Sequence, residues 1–178
     1  MFLPAVVLWV LSAWGGTLAG VTVPDSIDLG GQSLVLNGMG LREAFFIDIY
    51  VGALYLPAPT RSPDQAIDAD VPKRVLMRII FHKVTREQMV STFKENLDRN
   101  PDAAVLQDRL DALYGFMDGL VAGDEVLLDY VPGTGTTVTI RGQVMGTLPG
   151  ADLMRAIWAI FLGPRPASEK LKAGMLGK

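Results

Sequence analysis

The chain has 178 residues, no cysteine and one histidine, and its 16 basic and 19 acidic side chains give a formal net charge of −3. A chain of this length forms one domain that can bury its own core, and the lack of cysteine excludes disulfides, thiolate zinc ligands and cysteine nucleophiles. Nucleic acid is not an expected partner because the basic residues are few and scattered, and the 49% of hydrophobic residues argues against disorder.

The amino-terminal segment is strongly apolar. Residues 2–14 are apolar apart from Ser12, and small residues follow, including Thr17-Leu18-Ala19. This pattern predicts a signal peptide over residues 1–19, cleaved after Ala19. The run is shorter than the ~20 apolar residues of a bilayer-spanning helix, although a retained anchor and a buried first helix stay as alternatives. We therefore expect a mature domain of residues 20–178 in the periplasm or secreted, without a membrane span after cleavage.

The first half of the domain favours strands. Short apolar pieces between residues 21 and 36 are broken by Pro24-Asp25 and by Gly30-Gly31, which predicts two strands joined by turns. Residues 45–56 alternate with apolar side chains on both faces, so this strand should be covered on both sides. After a loop rich in Pro, Asp and Ser, residues 74–83 have the composition of another strand.

Helices and then hairpins are predicted in the second half. Thr85 and Gln88 have the spacing of a capping box at the start of an amphipathic helix. Pro101-Asp102 can open a second helix. Its apolar face would comprise Val105, Leu106, Leu110, Leu113, Tyr114 and Met117. Turn residues within residues 125–147 predict an antiparallel meander, and helices are expected over residues 151–162 and 168–176. The sequence contains no internal repeat and no domain linker.

Two segments carry a family resemblance: LNGMGLR at residues 36–42 and FIDIYVGALYL at residues 46–56. Together they resemble the signature of the chalcone-isomerase-like family. Further matches lie at Gly123-Asp124, Gly142 and residues 157–163. The resemblance covers roughly residues 21–177 and implies an α+β fold of the chalcone isomerase type. This is an open-faced β-sandwich, with a large antiparallel sheet covered by a layer of helices and a ligand cleft between the two.

The resemblance also assigns the site residues. In the plant enzymes of this family, an arginine, a threonine, a tyrosine, an asparagine and a helical hydroxyl residue surround the flavanone. Arg42 matches the arginine, and Asn96 is aligned with the asparagine. Tyr50 takes the place of the threonine, Met89 that of the tyrosine, and Ile160 that of the hydroxyl residue. Most of the polar set is therefore replaced.

These replacements favour binding over catalysis. Flavanone ring closure needs donors that stabilise an enolate, and neither Met89 nor Ile160 can donate. The family also includes noncatalytic members that bind fatty acids, in which the arginine and a tyrosine meet the carboxylate, a role that suits Arg42 and Tyr50. We expect a ligand that is a fatty acid or a similar apolar carboxylate or lipid, with no catalytic residue, cofactor or metal. The predicted ligand-binding residues are Arg42, Tyr50, Met89, Asn96 and Ile160.

Alternatives stay open at this point. The protein could be an intramolecular lyase acting on a flavonoid-like or other enone substrate, or an interaction module without a small ligand. Arg42 could pair with Glu43 or Asp48, Tyr50 could be a core residue with its hydroxyl at the rim, and the single histidine, His82, is most simply structural. Five apolar residues are candidates for either the pocket lining or plain core: Met77, Met89, Phe93, Leu97 and Ile160.

Overall fold

The computed structural model describes residues 15–98 and 103–178. In chain order, its strands are β1 Gly16–Leu18, β2 Val21–Val23, β3 Ser26–Leu29, β4 Gln32–Ala44, β5 Ile47–Leu56, β6 Lys73–Ile79, β7 Lys83–Val84, β8 Leu120–Val121, β9 Glu125–Val131, β10 Gly135–Ile140 and β11 Gln143–Leu148. The helices of the described residues are α1 Pro63–Asp68, α2 Arg86–Leu97, α3 Ala103–Phe116, α4 Ala151–Leu162 and α5 Glu169–Met175.

Seven strands form one antiparallel sheet in the order β11-β10-β9-β6-β5-β4-β3. Each strand pairs with its neighbour along this series, and α2 and α3 lie in the connection between β6 and β9. The four longer helices and α1 contribute buried side chains to one large core on a single face of the sheet. This architecture confirms the predicted α+β open-faced sandwich.

Strand β5 is covered on both faces, as its sequence predicted. Tyr50 and Leu54 belong to the large core beneath the helices. Val51 and Tyr55 belong to a second, smaller core on the opposite face, where they meet side chains of β2 and β3. Strand β1, which pairs with β2 and packs on β4, also covers this second core. Cleavage after Ala19 would therefore remove β1 from the domain.

The glycines of the family signature allow α5 to lie directly on the sheet. A Cβ atom placed at Gly40 would lie 2.1 Å from the carbonyl oxygen of Leu171, and one at Gly38 would lie 2.3 Å from the carbonyl oxygen of Gly174. Neither contact is possible for a larger residue without moving α5. The Gly-x-Gly spacing thus places both glycines on the helix-covered face of β4, the face on which Arg42 also lies.

Several predicted elements agree with the structure. The capping box at the start of α2 is formed, since the Thr85 hydroxyl accepts from the Gln88 amide and the Gln88 side chain accepts from the Thr85 amide. The three-stranded meander β9–β11 and the helix α4 occupy the predicted segments. Helix α5 begins and ends within a residue of its predicted bounds. Local sequence patterns sufficed to predict these elements because the turn residues and the apolar periodicity indicate the same boundaries.

Other predictions were wrong in detail. Helix α1 was expected to be loop, although Ser62 caps it and Pro63 occupies its first position. The segment expected to hold two strands holds β2, β3 and the start of β4. The strand expected over residues 74–83 ends at Ile79 and is followed by the short β7. Val105 is 79% exposed and does not share the buried face of α3.

Two predictions fall on parts of the chain that lie outside the described residues: the apolar run 2–14 and the helix start at Pro101-Asp102. Within residues 15–98 and 103–178, no helix combines the length and apolar character needed to cross a bilayer.

Candidate functional site

An open cleft of about 560 Å³ lies between the end of the β4–β5 hairpin, β6, and helices α2 and α4. Its inner wall is apolar and formed by buried core residues. These are Met77 from β6, Met89 and Phe93 from α2, and Ile160 from α4. Its rim includes Phe45 and Ile47 at the hairpin and Phe81 after β6. The space is therefore suited to an apolar ligand with one end near the rim.

Arg42 and Tyr50 lie side by side in this cleft. They are directly opposed on β4 and β5 in the antiparallel register, and both line the cleft. Paired residues of neighbouring strands project from the same face of the sheet. The register therefore places a guanidinium and a phenol together in a wall that is otherwise largely apolar.

The guanidinium of Arg42 has no carboxylate partner among the described residues. One of its nitrogens donates to the main-chain carbonyl of Glu43. The carboxylate of Glu43 instead accepts from the ammonium of Lys170 at 2.6 Å. The alternative in which Arg42 pairs with the carboxylate of Glu43 or Asp48 is thus not the arrangement seen, and the remaining guanidinium donors are available to a ligand.

Tyr50 is buried, and its burial raises the pKa of the phenol well above the ordinary value, while the positive charge of Arg42 acts in the opposite direction. Because desolvation dominates, the phenol stays protonated at neutral pH and keeps its donor hydrogen. No group within residues 15–98 and 103–178 accepts a hydrogen bond from this hydroxyl. Tyr50 can therefore donate to a ligand oxygen beside Arg42.

The polar residues that α2 contributes to the cleft were not predicted from the sequence. The Thr92 hydroxyl donates to the Gln88 carbonyl at 2.9 Å, and the Ser91 hydroxyl donates to Glu95 at 3.1 Å. Hydroxyls that bond within their own helix are a common local arrangement. Glu87 also lines the cleft and is exposed. The hydroxyl donors of α2 are therefore occupied, whereas Gln88, which also lines the cleft, uses its side-chain oxygen to accept from the Thr85 amide. Arg42 and Tyr50 are the donors that the β4–β5 pair presents to a ligand.

Four of the five predicted ligand-binding residues come together in the cleft: Arg42, Tyr50, Met89 and Ile160. Asn96 does not line it, because its side-chain amide donates to the Thr92 carbonyl at 2.8 Å. Whether the four residues bind a ligand stays a prediction. Among the other lining candidates, Met77 and Phe93 do line the cleft, whereas Leu97 is buried in the core away from it.

His82 is exposed and packs on the Phe81 ring with 4.2 Å between centroids. In the part of the chain that the structure describes, no three His, Asp or Glu side chains are grouped as metal ligands would be. The cleft thus places one cationic and one phenolic donor at the end of an apolar space.

The domain is of the α+β class, with a seven-stranded antiparallel sheet, helices on one face and an apolar cleft between the layers. The chain belongs to the chalcone isomerase-like family, whose model matches residues 15–177. This match confirms the resemblance carried by the two signature segments.

Among solved structures, the chain is similar to the crystal structure of the fatty-acid binding protein AtFAP1 from Arabidopsis thaliana. The TM-score is 0.70 at 18% sequence identity, over 88% of this chain and 92% of that one. At this identity the likeness establishes the shared fold. No curated protein matches the sequence.

Proposed function

We propose that this protein binds a fatty acid or a similar apolar carboxylate in the cleft and does not catalyse a reaction on it. The observation that carries the proposal is the Arg42–Tyr50 pair, which opens on an apolar cleft and includes a guanidinium without a carboxylate partner among the described residues. A planar guanidinium matches the two oxygens of a carboxylate, and the neighbouring phenol adds a third donor.

The energetics favour an amphiphile with a long tail. Each charge-assisted hydrogen bond contributes about 1.5–3 kcal/mol, and each buried methylene about 0.8 kcal/mol. A dozen methylenes therefore give roughly 10 kcal/mol before ordering costs, which consume much of it. At roughly 30 Å³ for each heavy-atom group, the share of a water molecule in the liquid, the cleft of about 560 Å³ holds fewer than 20 such groups. Tail burial would set the affinity, and Arg42 the orientation.

The absence of catalysis is proposed from the donors in the cleft. Met89 and Ile160 are apolar wall residues, and the hydroxyls of Ser91 and Thr92 are bonded within α2. Enolate stabilisation requires donors that strengthen their contacts in the transition state. Arg42 and Tyr50 lie side by side as a pair suited to the two oxygens of a carboxylate. The structural relative AtFAP1 is described as a fatty-acid binding protein, which favours the same role.

The binding proposal is tested by native mass spectrometry of the protein purified from cells, followed by titration with saturated fatty acids. We expect a co-purified lipid or micromolar binding of a fatty acid, and no acceleration of chalcone cyclisation. The proposal fails if no fatty acid binds at micromolar concentration. Cyclisation faster than the uncatalysed reaction would instead support the lyase alternative.

We also propose that the chain is exported and that its apolar amino-terminal segment is the export signal. Because β1 pairs with β2 and covers the second core, processing that spares Gly16–Leu18 would keep the domain intact, whereas a cut after Ala19 would remove that strand. Fractionation of cells, with the amino-terminal residue of the mature protein determined by mass spectrometry, tests both the export and the position of the cut.

A further inference from the structure

The tip of the β4–β5 hairpin exposes three consecutive apolar side chains. Phe45 is 94% exposed, Phe46 is fully exposed and Ile47 is 46% exposed. The polar residues Glu43 and Asp48 flank them. An isolated exposed apolar residue is common, but a contiguous group with a polar border marks an interaction site.

The backbone of this turn is also unusual. Phe45 and Phe46 have φ angles of 50° and 65°, and the residues on either side of them, Ala44 and Ile47, are paired. A two-residue hairpin turn with both residues in the left-handed region normally contains asparagine and glycine. Bulky side chains are rare there and strained. Aromatic residues therefore occupy the tip against the local conformational preference.

The tip is continuous with the cleft. Phe45 and Ile47 line its rim, whereas Phe46 projects beyond it and is not part of the lining. A surface that covers the tip would therefore also lie against the mouth through which an apolar ligand enters.

The geometry points to a lipid bilayer as the partner of this tip: we propose that the β4–β5 hairpin inserts into the membrane interface and loads the cleft directly from lipid. Phenylalanine and isoleucine side chains leave water for the apolar boundary just below the lipid headgroups. Two phenylalanines that bury roughly 150–250 Å² each supply too little area for a protein interface of about 800 Å² per partner. The loading step rests on the proposed binding of an apolar carboxylate.

The charged residues at the hairpin indicate whether it should bind anionic or zwitterionic lipid. Arg42 and Lys170 are balanced by Glu43 and Asp48, and Lys170 contacts Glu43 at 2.6 Å. Electrostatic attraction to anionic lipid needs an excess of basic residues near the surface, which this tip does not have. Association should therefore occur on zwitterionic phosphatidylcholine vesicles and depend little on salt.

Two variants of the exported protein, purified after removal of its amino-terminal signal, test the docking, because the apolar run of residues 2–14 would itself associate with vesicles. Phe46→Gly removes the ring and relaxes the positive φ, so the hairpin should stay folded, and vesicle association should fall by about tenfold or more. Val144→Ser is the matched control, because Val144 is 61% exposed on β11 at the far edge of the sheet, and its association should not change.

Brominated phosphatidylcholine reports the depth of the tip directly. Native tryptophan, including the fully buried Trp158, gives a background that is measured with the wild type. The fluorescence that Phe46→Trp adds to this background should be quenched by these vesicles, and the fluorescence that Val144→Trp adds should not. Equal quenching of the two, or unchanged association of Phe46→Gly, overturns the docking proposal. A dimer in light scattering that Phe46→Gly dissociates also overturns it, in favour of a second copy of the chain.

The two proposals fail separately. Phe46 does not line the cleft, so Phe46→Gly should bind fatty acid in solution as the wild type does. If fatty acid binds but the tip is not quenched, docking is wrong and the binding function stands. If the tip is quenched but no fatty acid binds, docking stands and the proposed ligand is wrong.

Discussion

Replacing Arg42 by alanine should reduce fatty-acid affinity much more than it reduces stability. Among the described residues, the guanidinium of Arg42 makes one hydrogen bond, to the main-chain carbonyl of Glu43. Its removal should therefore lower the stability of the fold only slightly. The ligand would lose up to two charge-assisted bonds of about 1.5–3 kcal/mol each. Because Arg42 is half-exposed, solvent screening lowers this sum. We expect a net loss of about 2–3 kcal/mol, which is roughly 30- to 150-fold in Kd.

The assay is a calorimetric titration at neutral pH with a fatty acid and with the alcohol of the same chain length. Arg42→Ala should weaken binding of the acid by this factor and that of the alcohol by little, because the alcohol carries no negative charge. Lys170→Ala is the control: Lys170 is a nearby cation that contacts Glu43 and does not line the cleft. The reasoning is refuted if Arg42→Ala binds the acid within twofold of wild type, or if acid and alcohol are weakened equally.

Three further predictions test the cleft wall, the helix contact and the buried phenols. Met89→Trp should fill the cleft and weaken fatty-acid binding at least ~10-fold. The control Glu95→Trp, on the exposed side of α2, should leave the fatty-acid affinity measured by titration unchanged. Equal effects of the two substitutions would contradict the placement of Met89 in the cleft wall. Gly40→Ala should lower the free energy of unfolding by about 3 kcal/mol or more, because its Cβ would meet a backbone oxygen of α5. The control Gly115→Ala lies in open space on α3 and should raise the free energy of unfolding by about 0.5–1 kcal/mol. Denaturant titration measures the free energy of unfolding of both variants. Burial raises the pKa of every tyrosine above its unfolded value, to about 12 for three of them. The tyrosines' contribution to the free energy of unfolding should therefore be complete below pH 10 and fall as the pH rises towards 12. Phenolate absorbance completing near pH 10 in the folded protein would contradict this for Tyr50, Tyr55, Tyr114 and Tyr130.

The cleft could be predicted from sequence only in part. Arg42, Tyr50, Met89 and Ile160 were found through the family resemblance, and the structure brings all four together. Asn96 was placed there by the same alignment, but its amide bonds back to its own helix. A sequence position on a helix does not specify which way a short polar side chain turns, because local backbone acceptors compete with the cleft.

The hairpin tip illustrates a different limit. The alternation of residues 45–56 assigned Phe45 and Phe46 to a strand, since both are good strand formers. In the structure they form the turn itself, with positive φ angles that aromatic residues rarely adopt. Nothing in local propensity favours that outcome; the register of β4 on β5, fixed by the core on both faces of the sheet, imposes it.

The sequence alone determined the elements whose signals are local: the capping box of α2, the meander β9–β11, the bounds of α4 and the two-sided burial of β5. Each depends on residues close together in the chain, which adopt the same structure wherever the domain places them. Tertiary structure alone decided that Arg42 lies opposite Tyr50 without a carboxylate partner among the described residues, that α5 lies on Gly38 and Gly40, and that Phe45 and Ile47 form part of the cleft rim. These features join segments distant in the chain, and only the packing of the complete core sets their distances.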